Sequence, residues 1–473
     1  MIVLLLISIL FFLGVISAAI NVLVLAYIFL FFAISLVPYL KRSQKILGVD
    51  PFEPYNGLTI LFFLYGLSTI IYVSNNNATY YNETVTKSAY AEYILACLIG
   101  QLGLAFGALI AQNKLINKNN IKMQVINRIE RKILLGPFLL LATIMLPFYY
   151  EKFNFLDVVS YSEAAFSTRI ARSQDEAAGI KEILLRDPYI LIIISAAVIR
   201  FFGKGSLLIK VISSAIVISY SLASLLSGWR GELMFVIITT IIYYHYKKHR
   251  ISLRYAFLGG VLTYILINSL SIMRAAPNAD IFSMIELLRN NFAEAGIDFL
   301  QLSSSGELST STNLLRLIMG IQNGEINFSM GHTLLSQFGA FVPRALWPER
   351  PPIASELFVQ TFYPGVYESG GGYGLFFHQE GYWDFGLFGV FIYSAILAFL
   401  TRKLYFRLIG NNKGDVAVLL YGVLYGQMVL SVVRSGFISS IKASLLVALP
   451  LILIMALARY LVSLSDKGVE ELK

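Results

Sequence analysis

The sequence predicts an all-α protein that crosses a membrane about twelve times and holds one large polar loop on its outer side. Three observations support this. Hydrophobic residues make up 57% of the chain and charged ones 14%, with a mean hydropathy of +0.70, a balance that suits hydrocarbon rather than water. The apolar residues fall into runs of roughly 20, the length a helix needs to cross a bilayer. Lysine and arginine gather in alternate connections, the pattern left when one side of a membrane retains positive charge. All 473 residues therefore read as one integral membrane domain.

The first apolar run, 2–40, is too long for one crossing and reads as two spans that turn near Asn21. Further spans are expected at 58–73, 90–111, 133–150, 189–202, 207–226, 233–246, 255–272, 385–401, 416–433 and 437–464. The connections then sort by charge. Lys41, Arg42 and Lys45 share a face with Lys114, Lys118, Lys122, Arg128, Arg131 and Lys132. Lys247, Lys248, Arg250 and Arg254, then Arg402, Lys403, Arg407 and Lys413, fall on the same face. Positive-inside selection makes that face cytoplasmic and places both termini there.

The opposite face has a short loop at 74–89, an amphipathic loop at 151–188 that suits the membrane interface, and the large loop at 273–384 between spans nine and ten. Within the large loop 280–301, 331–341 and 353–362 show helical patterns, and Gly370, Gly371 and Gly372 mark a break. No internal repeat is visible, which counts against a secondary transporter. The net charge of +9 is concentrated in the cytoplasmic connections, so it reflects topology and not a nucleic-acid footprint. The single Cys97 excludes an intrachain disulfide, and no Cys/His spacing suggests a metal. Met1 leads directly into apolar sequence, so no cleavable signal is expected.

The candidate chemistry lies in the outer connections. Pro343, Pro348, Pro351 and Pro352 stiffen a segment that holds Arg344, Trp347 and Arg350. The large loop's five basic residues are all arginine (Arg274, Arg289, Arg316, Arg344 and Arg350). A guanidinium binds phosphate or carboxylate in two-point fashion, which an ammonium cannot; the alternative is pairing with the loop's eleven acids. Arg230, flanked by Gly228 and Gly231, and Arg434, before Gly436, stand at outer boundaries of spans. Ionisable groups there are costly and lean towards function, against a tight-turn pair with Glu232 for Arg230 and simple snorkelling for Arg434.

The run from Phe377 to Gly386 offers two proton acceptors, Glu380 and His378, beside Tyr382 and Trp383. Glu380 is the first candidate base and His378 the second. The aromatic pair reads either as a sugar-stacking face or as an interfacial belt. His332 reads as structural or as a substrate contact. No phosphate-binding Gly-rich loop, His-Glu-x-x-His or Asp-x-Asp pair occurs, so no metal or other cofactor is expected.

Pro343, Arg344, Trp347, Pro348, Arg350 and Pro351 together resemble a segment of the oligosaccharide repeat-unit polymerases (Wzy type) that build O-antigen and capsular glycans. The turn around Arg230 and the run from Glu380 to Gly386 resemble two further motifs of that family, with Asp384 standing where the family has Asn. Some members have an Arg-to-Gly motif one residue longer than the spacing of Arg169 and Gly179 here, so Arg169 and Arg172 receive no role. The resemblance implies a GT-C-like, lipid-dependent glycosyltransferase of the bacterial cytoplasmic membrane with its site facing outward. It would move a growing glycan from undecaprenyl diphosphate to an incoming lipid-linked repeat unit without a metal. Arg230, Arg344, Arg274, Arg350 and Arg434 would hold the diphosphate, with Trp347, Tyr382 and His332 at the substrate. A chain-length regulator is the implied protein partner, and nucleic acid is not one. A ligase-like or other lipid-donor glycosyltransferase, and a flippase or transporter for the same lipid-linked oligosaccharides, remain as alternatives.

Overall fold

In a computed structural model the described residues are 22–40, 50–75, 79–80, 83–111, 191–200, 207–226, 230–256, 258–260, 307–339, 341–342, 346–347, 349, 351–368, 371–410 and 414–470. The expected spans at 2–20 and 133–150, most of that at 255–272, the amphipathic loop at 151–188 and the helix at 280–301 lie outside them.

Helix dominates, because hydrocarbon offers no hydrogen bonds and a helix satisfies its backbone internally. The longer helices are α1 (Val22–Leu40), α2 (Pro54–Asn75), α3 (Lys87–Ile110), α5 (Leu207–Leu226), α6 (Arg230–Lys247), α11 (Phe377–Tyr405), α12 (Asp415–Ser435) and α13 (Phe437–Glu470), with α4 (Leu191–Arg200) a shorter piece. Among the described residues five helices are long and apolar enough to cross a membrane, namely α2, α3, α11, α12 and α13. α1, α4, α5 and α6 contribute shorter apolar helices at four more of the expected positions. The chain is an integral membrane protein.

Two features of the loops differ from expectation. The short loop 74–89 contains a small antiparallel hairpin, β1 (Thr79–Tyr80) with β2 (Glu83–Thr84). The large loop gains a helix that was not among those expected, α7 (Thr312–Gln322), entered through a 3-10 turn at Glu307–Ser311. The loop's other short helices, α8 (His332–Gly339), α9 (Ala354–Phe362) and α10 (Pro364–Glu368), match or extend the patterns at 331–341 and 353–362.

Close packing starts with glycine. Gly100, Gly103 and Gly107 form a stripe on α3, and none has room for a Cβ against His378, Phe391 and Ala395 of α11. Small residues let membrane helices approach backbone to backbone, where dispersion does the work that water exclusion does in soluble proteins. Gln101 on the same helix donates to Ser35 Oγ on α1 (2.9 Å) and Thr59 Oγ1 on α2 (3.2 Å), joining three helices through one buried amide.

The two ends of the bundle differ chemically. At one, Arg402 of α11 lies buried against Glu53 (2.9 Å) and also donates to the Ala108 carbonyl. Asp50 accepts from Tyr246 (2.7 Å) and Tyr405 (2.9 Å), and Lys247 pairs with Asp415 at 2.9 Å. Arg402, read from sequence as a loop charge, is thus an interior one. At the other end α7 is pinned to α2 by Thr69 and Ser311 (2.7 Å) and by Ser311 on the Tyr65 carbonyl (2.6 Å). Among the described residues Asp50, Glu53, Ala108, Tyr246, Lys247, Arg402 and Asp415 gather at the first of these ends.

Because removing one member of a buried ion pair strands the other charge, Glu53→Leu is expected to cost about 3–5 kcal/mol. Glu53→Leu combined with Arg402→Met should recover most of that loss, as read by thermal unfolding of the detergent-solubilised protein.

Candidate active site

α11 is broken. Phe385 (φ −140°, ψ 24°) and Gly386 (φ 61°, ψ −146°) leave the helical region, and Gly386 takes a conformation that is open essentially to glycine alone. The eight residues before the break fold back on the helix after it. Gly381 and Gly389 meet backbone to backbone, and Tyr393 reaches Asp384 at 2.7 Å. The expected span therefore starts just where the structure bends, and Glu380 belongs to a separate short helical piece beside it.

The break frees backbone groups that must find partners. The Trp383 carbonyl accepts from the Ser329 N–H (2.9 Å), just ahead of α8. α8 is inverted relative to a soluble helix. Thr333, Ser336 and Gln337 face inward and are buried, while Leu335 and Phe338 point outward, 69% and 53% exposed.

Glu380 lies at the centre of this arrangement with no exposed surface. One carboxylate oxygen accepts from the side-chain amide of Gln337, and the other from the backbone N–H of Phe437 at 2.6 Å. Phe437 opens α13 directly after Gly436 (φ 79°), which passes so near the carboxylate that a Cβ there would stand 2.9 Å from it. Asp384, one turn on, accepts from Ser329, from Thr333 (2.6 Å) and from Tyr393. Both carboxylates are thus buried against neutral donors. A carboxylate offers about four acceptor positions, and donors among the described residues take two of them on Glu380.

Arg434 is placed near Glu380 by its backbone. Its carbonyl accepts from Leu375 N–H at 2.9 Å, three residues ahead of Phe437, and its side chain is exposed. A π turn at Gly426–Ser431 precedes it, a common device where a helix re-aims a residue. Arg230 is the first residue of α6. That helix runs antiparallel to α12, with Tyr246 against Tyr421, Thr239 against Gly422 and Phe235 against Gly426. Continuing that register at 1.5 Å per residue brings the start of α6 level with the last turns of α12. The backbones of Arg230, Arg434 and Glu380 thus share one end of the bundle, opposite the Arg402–Glu53 pair.

The other predicted residues divide. Arg274, Arg344 and Arg350 lie outside the described residues. Trp347 returns over the end of α8, with its ring 3.4 Å from where a Cβ on Gly339 would stand. Tyr382 is buried and donates to Glu92 of α3 at 2.6 Å; Gln322 reaches the same carboxylate at 2.7 Å. His332 is exposed at the first position of α8. His378 is packed away from Glu380's partners, against Gly100 and the Phe62, Phe376 and Phe377 rings, and neither nitrogen has a partner among the described residues. Arg316 takes the structural reading. It pairs with Glu325 at 2.9 Å over the Phe362 ring at 4.5 Å, and its hydrogen bond holds the Glu325 carboxyl below the usual carboxylate range.

Sequence reasoning missed Gln337, Thr333 and Glu92. The available signal was the polar stripe of Thr333, Ser336 and Gln337 at helical spacing in a loop otherwise rich in apolar residues.

Fold and site define a polytopic helical membrane protein with two buried carboxylates under a cap of short helices at one end. A sequence model of the family described as O-antigen polysaccharide polymerase Wzy matches residues 1–464. The chain belongs to that family. No curated protein and no solved structure matches it.

Replacing Gly386 with Ala forces a side chain into a backbone region that suits glycine, and is expected to cost about 1–3 kcal/mol. The loss should appear as a lower unfolding temperature, with chain extension reduced beyond what the remaining folded protein explains.

Proposed function

We propose that the protein extends a surface glycan at the outer face of the bacterial cytoplasmic membrane. It transfers the growing chain from undecaprenyl diphosphate to a sugar hydroxyl of the incoming lipid-linked repeat unit. The reading rests on the family and on one observation: Glu380, wholly buried at the end of the bundle opposite the basic connections, is held by two neutral donors. An uncompensated carboxylate in such surroundings suits a proton acceptor.

The acceptor hydroxyl attacks the anomeric carbon and gives its proton to Glu380. The anomeric C–O bond to the diphosphate breaks as the new glycosidic bond forms. The leaving diphosphate gathers charge, and guanidiniums aimed at it stabilise that charge. Arg230, Arg344 and Arg434, with Arg274 and Arg350, take this role; Trp347, Tyr382 and His332 line the saccharide path, and His378 is the alternative base. The proposal includes about twelve spans, both termini in the cytoplasm, a GT-C-like plan, and the loops at 151–188 and 273–384 on the outer side. A chain-length regulator is the proposed partner.

Glu380→Gln keeps an acceptor for the Phe437 N–H while removing the base. In a host with a visible surface glycan this variant should leave single repeat units at normal protein level. Arg344→Ala and Arg230→Ala should do the same, with Lys at either position restoring little. Undiminished polymer from Glu380→Gln would remove the base assignment, and from both arginine variants the diphosphate site. Repeat units trapped on the inner face of the membrane would point to a flippase.

A further inference from the structure

We infer that Asp384 is a positioning residue, which sets both hydrogen-bond donors of Glu380 through a two-rung ladder between α8 and the short helical piece before the α11 break. The inference rests on the proposed role of Glu380.

The geometry is specific. Thr333 and Gln337 are four apart on α8, and Asp384 and Glu380 are four apart on α11, so each pair occupies one helix face. Thr333 bonds Asp384 and Gln337 bonds Glu380. The helices therefore run antiparallel, with one rung at each turn. A shift of α8 by one residue would rotate Gln337 by about 100° around that helix and off the carboxylate.

Asp384 also governs the second donor. Its other oxygen takes the Tyr393 hydroxyl, and the Tyr393 ring lies 6.1 Å from that of Phe437, whose N–H bonds Glu380. Gln337 is thus tied to Asp384 through α8, and Phe437 through Tyr393. A buried carboxylate is an expensive hinge pin unless its lone pairs are filled. Here Ser329, Thr333 and Tyr393 occupy three of about four acceptor positions from two separate segments, which a leucine or alanine could not replace.

The test uses the full chain in lipid nanodiscs with lipid-linked repeat units, reading kcat and KM for chain extension. Thr333→Val removes one rung and leaves Ser329 and Tyr393 on Asp384. It is expected to lower kcat about tenfold, a factor equal to one lost neutral hydrogen bond at the transition state, with KM changed less than twofold. Asp384→Ala should lose more. Asp384→Asn should recover most of the rate, because hydroxyl donors can turn to serve an amide. Thr333→Val with Gln337→Leu should be no slower than the worse single variant, since both act through one ladder. Wild-type kcat in folded Thr333→Val, a loss confined to KM, or multiplying losses in the double variant would overturn the inference. Should Glu380→Gln be inactive while Thr333→Val is unimpaired, the base survives and the ladder fails. Full activity in Glu380→Gln removes the base itself.

Discussion

Hydrocarbon cannot hydrogen-bond, so a helix that breaks at membrane depth must find partners for every group it frees. α11 breaks at Phe385–Gly386, and the partners come from the connection before α8 and from the helix after the break. The short helices of the large loop are therefore part of the bundle's own hydrogen-bond accounting. Ser329 serves both the Trp383 carbonyl and the Asp384 carboxylate, tying the loop to the membrane helix at two adjacent points. Without the loop, the broken end of α11 would leave a carbonyl and a carboxylate stranded in a dry environment.

The break has a chemical result as well as a structural one. A continuous helix would put Glu380 and Gly389 more than two turns apart. Folding back places Gly381 on Gly389 and turns Glu380 towards the start of α13. There the carboxylate meets the first N–H of a helix, where negative charge is favoured. At the opposite end the buried Arg402 is matched to Glu53, while Asp50 there is held, like Glu380, by neutral donors. The contrast is informative. A matched pair resists change in either partner's charge, whereas a carboxylate held by neutral donors can gain a proton without breaking an ion pair.

The helical membrane class was legible because it rests on the coarsest physical signals. Runs of about 20 apolar residues and the alternation of basic connections needed no knowledge of contacts. Much of the site was harder to read. Glu380 stood out as an acid beside aromatic residues, but its partners are a loop amide and a backbone N–H that arrive from far along the chain. α7 was missed although its apolar spacing was there to read: Leu314, Leu315, Leu317 and Ile318 are all buried. Arg402 was misplaced for a different reason. Charge in a window beside a loop reads as exposed unless its partner, here Glu53 on a different helix, is known.

The inverted amphipathy of α8 links these observations. In water a helix with Leu335 and Phe338 outward and Gln337 inward would turn over, since burying the apolar face gains more than burying the amide. It keeps this orientation only if the outward side meets hydrocarbon and the inward side meets groups that need donors. Phe388, 70% exposed on the first turn after the break, and Phe385, packed against Gly331, continue the same apolar surface onto α11. Glu380 lies on the inner side of α8, held there by Gln337. A lipid-linked saccharide has its reacting diphosphate at the membrane boundary, with its tail in the bilayer and its sugars in water. Under the proposed function α8 would turn its apolar face to the tail and its Gln337 amide to the base.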